Sequence, residues 1–468
     1  MISDTDLDSL RSAVAGPVLS SGDPEYAEDG SGFNLAVVHQ PDVIVGATSA
    51  ADVAATVGWA AERGLPVAVQ ATGHGATERM TDGVLISTRR MQDVQVDPEL
   101  RTARVAAGAK WTSVLAKTVP HGLAGLCGSS SDVGVVGYTL GGGLPVLGRA
   151  LGWAADRVRA IELVTPDGQI RTVDAEHEPE LFEVLRGGKG NFGVVTALEL
   201  ELVPLPDFYG GGLMYPGADA DTVLTAFRGW LADLPEEACP SLALLRLPEA
   251  PDVPEPLRGQ FVVHLRFAYP GSKEDGDRLL APMRAVSQPV MDTAGPLSYE
   301  QIDLVSLDPP DPLPHEEGGT LLAEFDEAAQ RELLRVAGPG TDCPLAVVEL
   351  RPMGGALARP SVVRDAVSGR DAKWSLAGIG VLMPPVADLV PAGIATLLDA
   401  LRPWATGYTM VNFHGHPGDA TDRARAWPPE IYEVIKRAKR HYDPQNMMRF
   451  GHAVILPSGE PVEASVPL

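Results

Sequence analysis

Gln70-Ala71-Thr72-Gly73-His74-Gly75-Ala76 is the heptapeptide on which the reading of this chain turns. It follows an apolar, strand-like segment at 65–69 and sets a glycine on each side of one histidine. Glycines let a backbone come close to a ligand and gather several N–H groups into one concavity, a common way to hold a diphosphate. The histidine adds an imidazole nucleophile beside that ligand. Taken alone, the heptapeptide also reads as a tight turn with a solvated histidine. The rest of the chain decides between the two.

Working outward, residues 48–64 read as a helix, with Thr48 or Ser49 as cap, Val53 and Val57 on one face and Gly64 as terminator. Segments 83–87 and 102–106 read as strands and 111–119 as an amphipathic helix, so α/β alternation surrounds the histidine loop. A glycine-dense region runs from 125 to 143. The Thr165-Pro166-Asp167-Gly168 turn between 161–164 and 170–173 predicts a hairpin. Arg186-Gly187-Gly188-Lys189-Gly190-Asn191-Phe192-Gly193 then leads into a strand at 194–203.

After Pro204-Leu205-Pro206 the texture changes. Helical segments at 220–234, 274–285 and 326–336 alternate with strands at 260–269, 345–350 and 376–383, separated by proline-rich loops. This predicts a second, α+β domain of antiparallel sheet and helices. Strand–loop texture returns at 407–413, and Tyr442-Asp443-Pro444-Gln445-Asn446 lies near the end of the chain.

The 468 residues exceed one ordinary core, so two domains are expected. A formal charge of −25 repels phosphate backbones and anionic lipid, which argues against nucleic acid and membrane partners. No apolar run reaches the length of a membrane span, and the acidic opening at 1–6 does not read as a secretory signal. Cys127, Cys239 and Cys343 are odd in number and far apart, forming neither a disulfide framework nor a zinc site. A cytoplasmic protein is the expectation.

Two nucleotide motifs are rejected. Gly141-Gly142-Gly143-Leu144-Pro145-Val146 lacks the last glycine of a dinucleotide fingerprint and has no short strand leading into it. Gly187-Gly188-Lys189 is followed by Gly190, where a phosphate-binding P-loop needs Ser or Thr. His414 and His416 lack the accompanying ligands of a metal site, so no metal is expected. Glu349 and Arg351, two residues apart on a strand, share a face and can line a pocket.

Several segments occur in order: Thr72-Gly73-His74; Asp132-Val133-Gly134-Val135-Val136-Gly137-Tyr138-Thr139-Leu140-Gly141-Gly142-Gly143; 186–195; Glu349-Leu350-Arg351-Pro352-Met353-Gly354-Gly355-Ala356; 408–413; and Tyr442-Asp443-Pro444-Gln445-Asn446. Together they resemble the FAD-linked oxidases similar to berberine bridge enzyme, within the vanillyl-alcohol oxidase superfamily. The resemblance implies an α+β fold with a two-part FAD-binding domain (1–206 and 408–468) and an inserted substrate domain (207–407) of antiparallel sheet covered by helices. It implies FAD bound along Gln70, Ala71, Thr72, Gly73, His74, Gly75 and Ala76, and along Ser130, Asp132, Val133, Gly134, Gly137, Tyr138, Gly141, Gly142 and Gly143. Gly190, Asn191, Gly193, Val195, Asn412 and Asn446 complete the implied cofactor set. In the family the histidine at the position of His74 bonds the flavin 8α-methyl group.

Departures sharpen the expectations. Ser130 stands where many members carry a second, cysteinyl tether, so one covalent bond is expected. Phe413 stands where some members place a catalytic tyrosine, and residues 375–376 supply no carboxylate where plant members have a base. Tyr138, Glu349, Tyr408 and His414 remain as candidates for base or proton relay. The implied activity is hydride transfer from an alcohol, amine or reduced ring to FAD, with reoxidation by O2 to H2O2. A noncovalent dehydrogenase and a catalytically silent flavin-binding protein are the alternatives. Met353, Phe413 and Trp374 suggest an apolar pocket for an aromatic or polyketide-like small molecule.

Overall fold

The computed structural model describes residues 2–251 and 253–456; the final stretch of the expected C-terminal segment, 457–468, lies outside the described residues. The chain has α+β architecture built on three principal sheets. The first has the strand order Val18–Leu19, Val43–Gly46, Val84–Ser87, Val67–Gln70. Its last three strands are parallel, and both Val43–Gly46 and Val84–Ser87 are buried throughout. Continuous burial explains why these strands read as unbroken apolar runs. The crossover between Val43–Gly46 and Val67–Gln70 is the helix Ala50–Glu62, where the Ser49 hydroxyl accepts the Asp52 N–H and Gly64 adopts φ 61°. The histidine loop leaves the carboxyl end of Val67–Gln70, the end of a parallel sheet where ligands gather.

The second sheet is antiparallel, in the order Val94–Asp97, Thr102–Ala106, Val194–Glu201, Val158–Val164, Ile170–Asp174. Its last pair is the expected hairpin, with Gly168 at φ 76° in the turn. The glycine-dense region connects Thr102–Ala106 to Val158–Val164 and contains the helix Val135–Leu140.

The third sheet has eight antiparallel strands. Tyr209–Pro216, Phe261–Tyr269, Cys239–Arg246, Val347–Pro352, Trp374–Val381 and His315–Leu322 follow one another across it. Side chains alternate across a pleated sheet, so two consequences follow from register. One face carries Leu242, Leu244, Val263, Leu265, Val348, Leu350 and Leu376 into a core with the helices Ala220–Leu231, Lys273–Arg284, Glu327–Ala337 and Val390–Leu401. The other face carries Ser241, His264, Arg266, Glu349, Arg351 and Ser375. Trp374 lies on the helix side, its ring 6.2 Å from Phe227 and 5.5 Å from Phe325. The expectation that it lines a substrate pocket is therefore corrected: its neighbour Ser375 takes the facing position.

Residues 408–413 form no strand; a single 3-10 turn, Val411–Phe413, stands there. The chain then passes the helix Pro429–Tyr442 and returns to the first two sheets. The Lys439 ammonium is fully buried and donates to Asp443 Oδ2 (2.6 Å), Met448 O (2.6 Å) and Asn191 O (3.1 Å). Asp443 in turn accepts the Met447 and Met448 N–H groups, and the Val67 N–H donates to Met447 O. Among the described residues no helix is long and apolar enough to cross a membrane.

Removing one partner of a buried ion pair strands the other charge, at about 3–5 kcal/mol. Lys439→Met is expected to destabilise the protein by an amount of that order, read as a lowered Tm, whereas exposed Lys273→Met leaves Tm nearly unchanged.

Candidate active site

His74 is pinned by a segment distant in sequence. Phe33 stacks on the imidazole with ring centroids 3.8 Å apart and planes at 14°. The Phe33 N–H donates to Thr72 O (2.8 Å), and Asn34 Nδ2 donates to Ala76 O (3.0 Å). Gln70, buried at the loop's entry, donates to Ser31 O and meets His39 through Oε1. Gly73 sits at φ 74°, and a Cβ there would lie 2.7 Å from Gly32 Cα. No other residue fits that approach without displacing backbone.

Asp132 Oδ2 stands 3.7 Å from His74 Nε2, beyond hydrogen-bond range, while its Oδ1 takes the Lys110 ammonium at 2.6 Å. Burial lowers the His74 pKa to about 4 against the opposing pull of Asp132. The imidazole is therefore neutral at physiological pH and keeps a nucleophilic lone pair.

Facing this loop is a glycine cradle. Lys189, at φ 58°, reaches across it; its ammonium donates to Gly137 O (3.3 Å) and lies 3.9 Å from where a Gly75 Cβ would stand. A Cβ on Gly141 would strike Asn412 Oδ1 at 2.0 Å, and Asn412 Nδ2 donates to Tyr138 O at 2.9 Å. Gly134 borders Thr72, Ser130 Oγ accepts the Asp132 N–H, and the Trp111 N–H donates to Val133 O. Desolvation lowers Lys189 to about 8, opposed by Glu317, and raises Glu317 to about 7, opposed by Lys189. Phe33 and Glu317 were not singled out from sequence, and Lys189 entered only in a rejected P-loop motif: each meets the site through the fold. The helix Val135–Leu140 places Gly142 and Gly143 at the far end of the cradle.

The remaining expected cofactor positions divide. Asn446, at φ 53°, presents a buried Oδ1. Asn191 is turned inward, donating to Gly188 O and accepting the Val454 N–H. Val195 is a buried core residue, and Gly193 packs its Cα onto Val164 O. Gly190 borders open space.

The four candidate proton-transfer groups are equally distinct. The Tyr138 hydroxyl is buried, its ring edge-on to Trp111 at 5.8 Å, and burial pushes the phenol pKa well up. Glu349 is buried, and although burial alone would raise its pKa, Arg351 and Arg266 together hold the carboxyl below its usual range. Tyr408 packs beside Met353, Met410 and Phe413. Burial lowers the His414 pKa; its Nε2 lies 3.2 Å from Asp422 Oδ2, while His416 meets Thr77 O.

His74 Nε2, Thr77 Oγ1, Asn412 Oδ1 and Asn446 Oδ1 are buried with no hydrogen-bond partner among the described residues. Buried polar atoms are normally satisfied, so the open atoms of the histidine loop and of Asn412, which meets Gly141, fit a polar ligand bound along backbone. FAD meets that requirement. Among the described residues no group of three or more His, Cys, Asp or Glu could hold a metal ion.

The comparisons agree with the geometry. Residues 41–174 match the FAD binding domain family. The chain is 27% identical to (R)-6-hydroxynicotine oxidase of Paenarthrobacter nicotinovorans, over 95% of this chain and 99% of that protein. It superposes on 6-hydroxy-D-nicotine oxidase from Arthrobacter nicotinovorans with a TM-score of 0.80 at 22% identity, covering 94% and 98% of the two chains. For the berberine bridge enzyme-like protein 1 of Physcomitrella patens the TM-score is 0.83 at 19% identity, covering 96% and 99%. With an FAD binding domain over residues 41–174, a histidine loop within it and a likeness to an FAD-linked oxidase along nearly its whole length, the chain is an FAD-linked oxidase whose fold is shared with 6-hydroxy-D-nicotine oxidase and the berberine bridge enzyme-like structure.

Proposed function

We propose that this oxidase holds FAD through one covalent bond from His74 and oxidises a small organic molecule, an alcohol, amine or reduced ring, at the expense of O2. The observation that carries the proposal is the neutral, Phe33-stacked imidazole on a glycine loop at the carboxyl end of a parallel strand. FAD, held by the glycine cradle and His74, would supply the two-electron redox chemistry, with the substrate as donor and dioxygen as acceptor.

The chain's own residues supply attachment, position and proton handling. Burial keeps His74 unprotonated, and Lys110, holding Asp132 at 2.6 Å, adds to the effect. Cys127 offers no second tether: it is fully buried, and burial pushes its thiol well above the thiolate range. On the substrate side Glu317 is the carboxyl suited to take a proton near neutrality, because a base works best with a pKa near the operating pH. Its strand places it two residues from Gly319, whose Cβ would touch Phe413 O.

Three outcomes are expected. His74→Ala gives a protein whose flavin enters the supernatant on acid precipitation, while the parent keeps a yellow pellet; intact mass reading two flavin bonds, or a flavin peptide containing Cys127, would count against the single tether. Glu317→Gln lowers kcat by about 10²- to 10⁴-fold. In the parent, kcat/KM rises as pH climbs through about 7 and Glu317 loses its proton; a variant retaining that limb assigns the base elsewhere.

The third outcome concerns the electron acceptor. Val133 follows Asp132, whose Oδ2 is 3.7 Å from His74 Nε2, and its half-buried side chain packs on the core around Trp111. It stands three residues after the second-tether position, where the family resemblance sets oxygen access. One methylene can close a small cavity in a packed interior. Stopped-flow reoxidation is expected to be fast in the parent and sharply slower in Val133→Leu; equal rates would remove the gate.

A further inference from the structure

Between the glycine cradle and the polar face of the large sheet lies a cavity of about 40 Å³; apolar residues such as Leu144 and Val305 line it, and Arg149, Ser241, Arg266 and Arg351 supply its polar groups. Its charges do not balance. Glu349 gives Oε1 to Arg266 Nη1 (2.6 Å) and Oε2 to Arg351 Nε (2.7 Å), so both oxygens are engaged. Arg266 is also fully committed: Nη2 donates to Ser306 O (2.9 Å) and lies 3.3 Å from Asp308 Oδ1, and Nε meets His264 Nδ1. Arg149 has only carbonyl partners, Ala238 O (3.0 Å) and Met353 O (2.6 Å), and no carboxylate among the described residues. The two terminal nitrogens of Arg351 make no hydrogen bond among the described residues.

Three guanidinium groups therefore share the carboxylates of Glu349 and Asp308, and one positive charge is left over inside a protein whose formal charge is −25. A poorly solvated charge without a counter-ion is costly, and the planar guanidinium fork matches a carboxylate in bidentate fashion. We propose that this cavity is an anion site that takes the carboxylate of an aromatic substrate, held by the free edge of Arg351 with Arg149 beside it. The cavity has room for a few water-sized groups, enough for a carboxylate head. The ring lies outside, against Phe413, whose centroid is 5.6 Å from the Arg351 guanidinium carbon. Phe413 follows Asn412, which lines the glycine cradle, so an anchored carboxylate leaves the rest of the substrate directed toward the cofactor.

The inference deepens the oxidase reading and rests on it for the identity of the ligand as substrate. Calorimetric titration of the flavin-loaded protein with benzoate, benzamide and inorganic phosphate tests it. A hydrogen bond to a charged group is worth about 1.5–3 kcal/mol, so benzoate is expected to bind at least about tenfold more tightly than benzamide. That advantage falls to near unity in Arg351→Met and shrinks in Arg149→Met. Arg149 has no carboxylate partner, so its variant strands no buried charge, and the flavin content and Tm of each variant report its folding. Equal affinity for benzoate and benzamide, or an undiminished preference in a folded Arg149→Met variant with Arg351→Met also unchanged, would overturn the site. Phosphate competing with benzoate at equal affinity would overturn the substrate assignment in favour of a free-anion site. Benzoate binding as expected, in a protein whose flavin no substrate bleaches, would sink the oxidase reading and leave the anion site standing.

Discussion

The approach of two backbones at Gly32 and Gly73 is the constraint on which the rest of the site depends. With 2.7 Å between a Gly73 Cβ and Gly32 Cα, the N-terminal loop and the histidine loop lock together only when both residues lack side chains. That contact brings Phe33 over the imidazole, and the stack shields His74 from water. Desolvation is the first cause of its lowered pKa, so a steric fact about two glycines ends as a statement about nucleophilicity. The same strand-end position directs the loop toward the glycine cradle, where Asn412 and Gly141 are separated by less than one side-chain atom.

Interior charge sets the second constraint, and it takes three forms. Lys439 and Asp443 pair in a fully buried site and collect four backbone partners, which fastens the C-terminal segment to the Asn191 loop. Glu349 is clamped by two arginines and stays ionised. Lys189 and Glu317 are drawn toward neutrality instead, by desolvation without a tight bond between them. Partners thus separate carboxylates held in their ionised form from one drawn toward its neutral form. Sequence alone listed Glu349 as a proton-transfer candidate by residue type; its two arginine partners become visible only when the strands are paired.

Local signals carried much of the fold into the sequence. Ser49 and Gly64 bound one helix, Pro166-Asp167-Gly168 closes one hairpin, and alternation puts Glu349 and Arg351 on one face. Other strands were hidden by their composition. Tyr209–Pro216 carries three glycines in succession, and His315–Leu322 opens with two acids and two glycines. Neither shows strand periodicity, because Phe208, Thr293 and His264 crowd Gly210, Gly211 and Gly212, and Ile394 and Phe413 crowd Gly318 and Gly319. Trp374 was misplaced for a related reason: hydrophobicity says that a residue is buried, and register alone says on which side.

The two halves of the site are therefore legible to different degrees for a physical reason. The cofactor side is shaped by backbone proximity, and close backbone approach demands glycine, which leaves a compact mark in the chain. The substrate side is shaped by side chains from several strands whose neighbours are set by hydrogen-bond register: Ser241 opposite Arg266, Glu349 opposite Ala243, Arg351 opposite Ser375. A change at one such position alters one lining group and leaves the sheet intact, whereas a side chain at Gly73 or Gly141 displaces backbone or a cofactor-facing amide. Variation in substrate is thereby confined to positions that do not disturb the flavin, and a sequence can announce its cofactor while keeping its substrate concealed until the strands are paired.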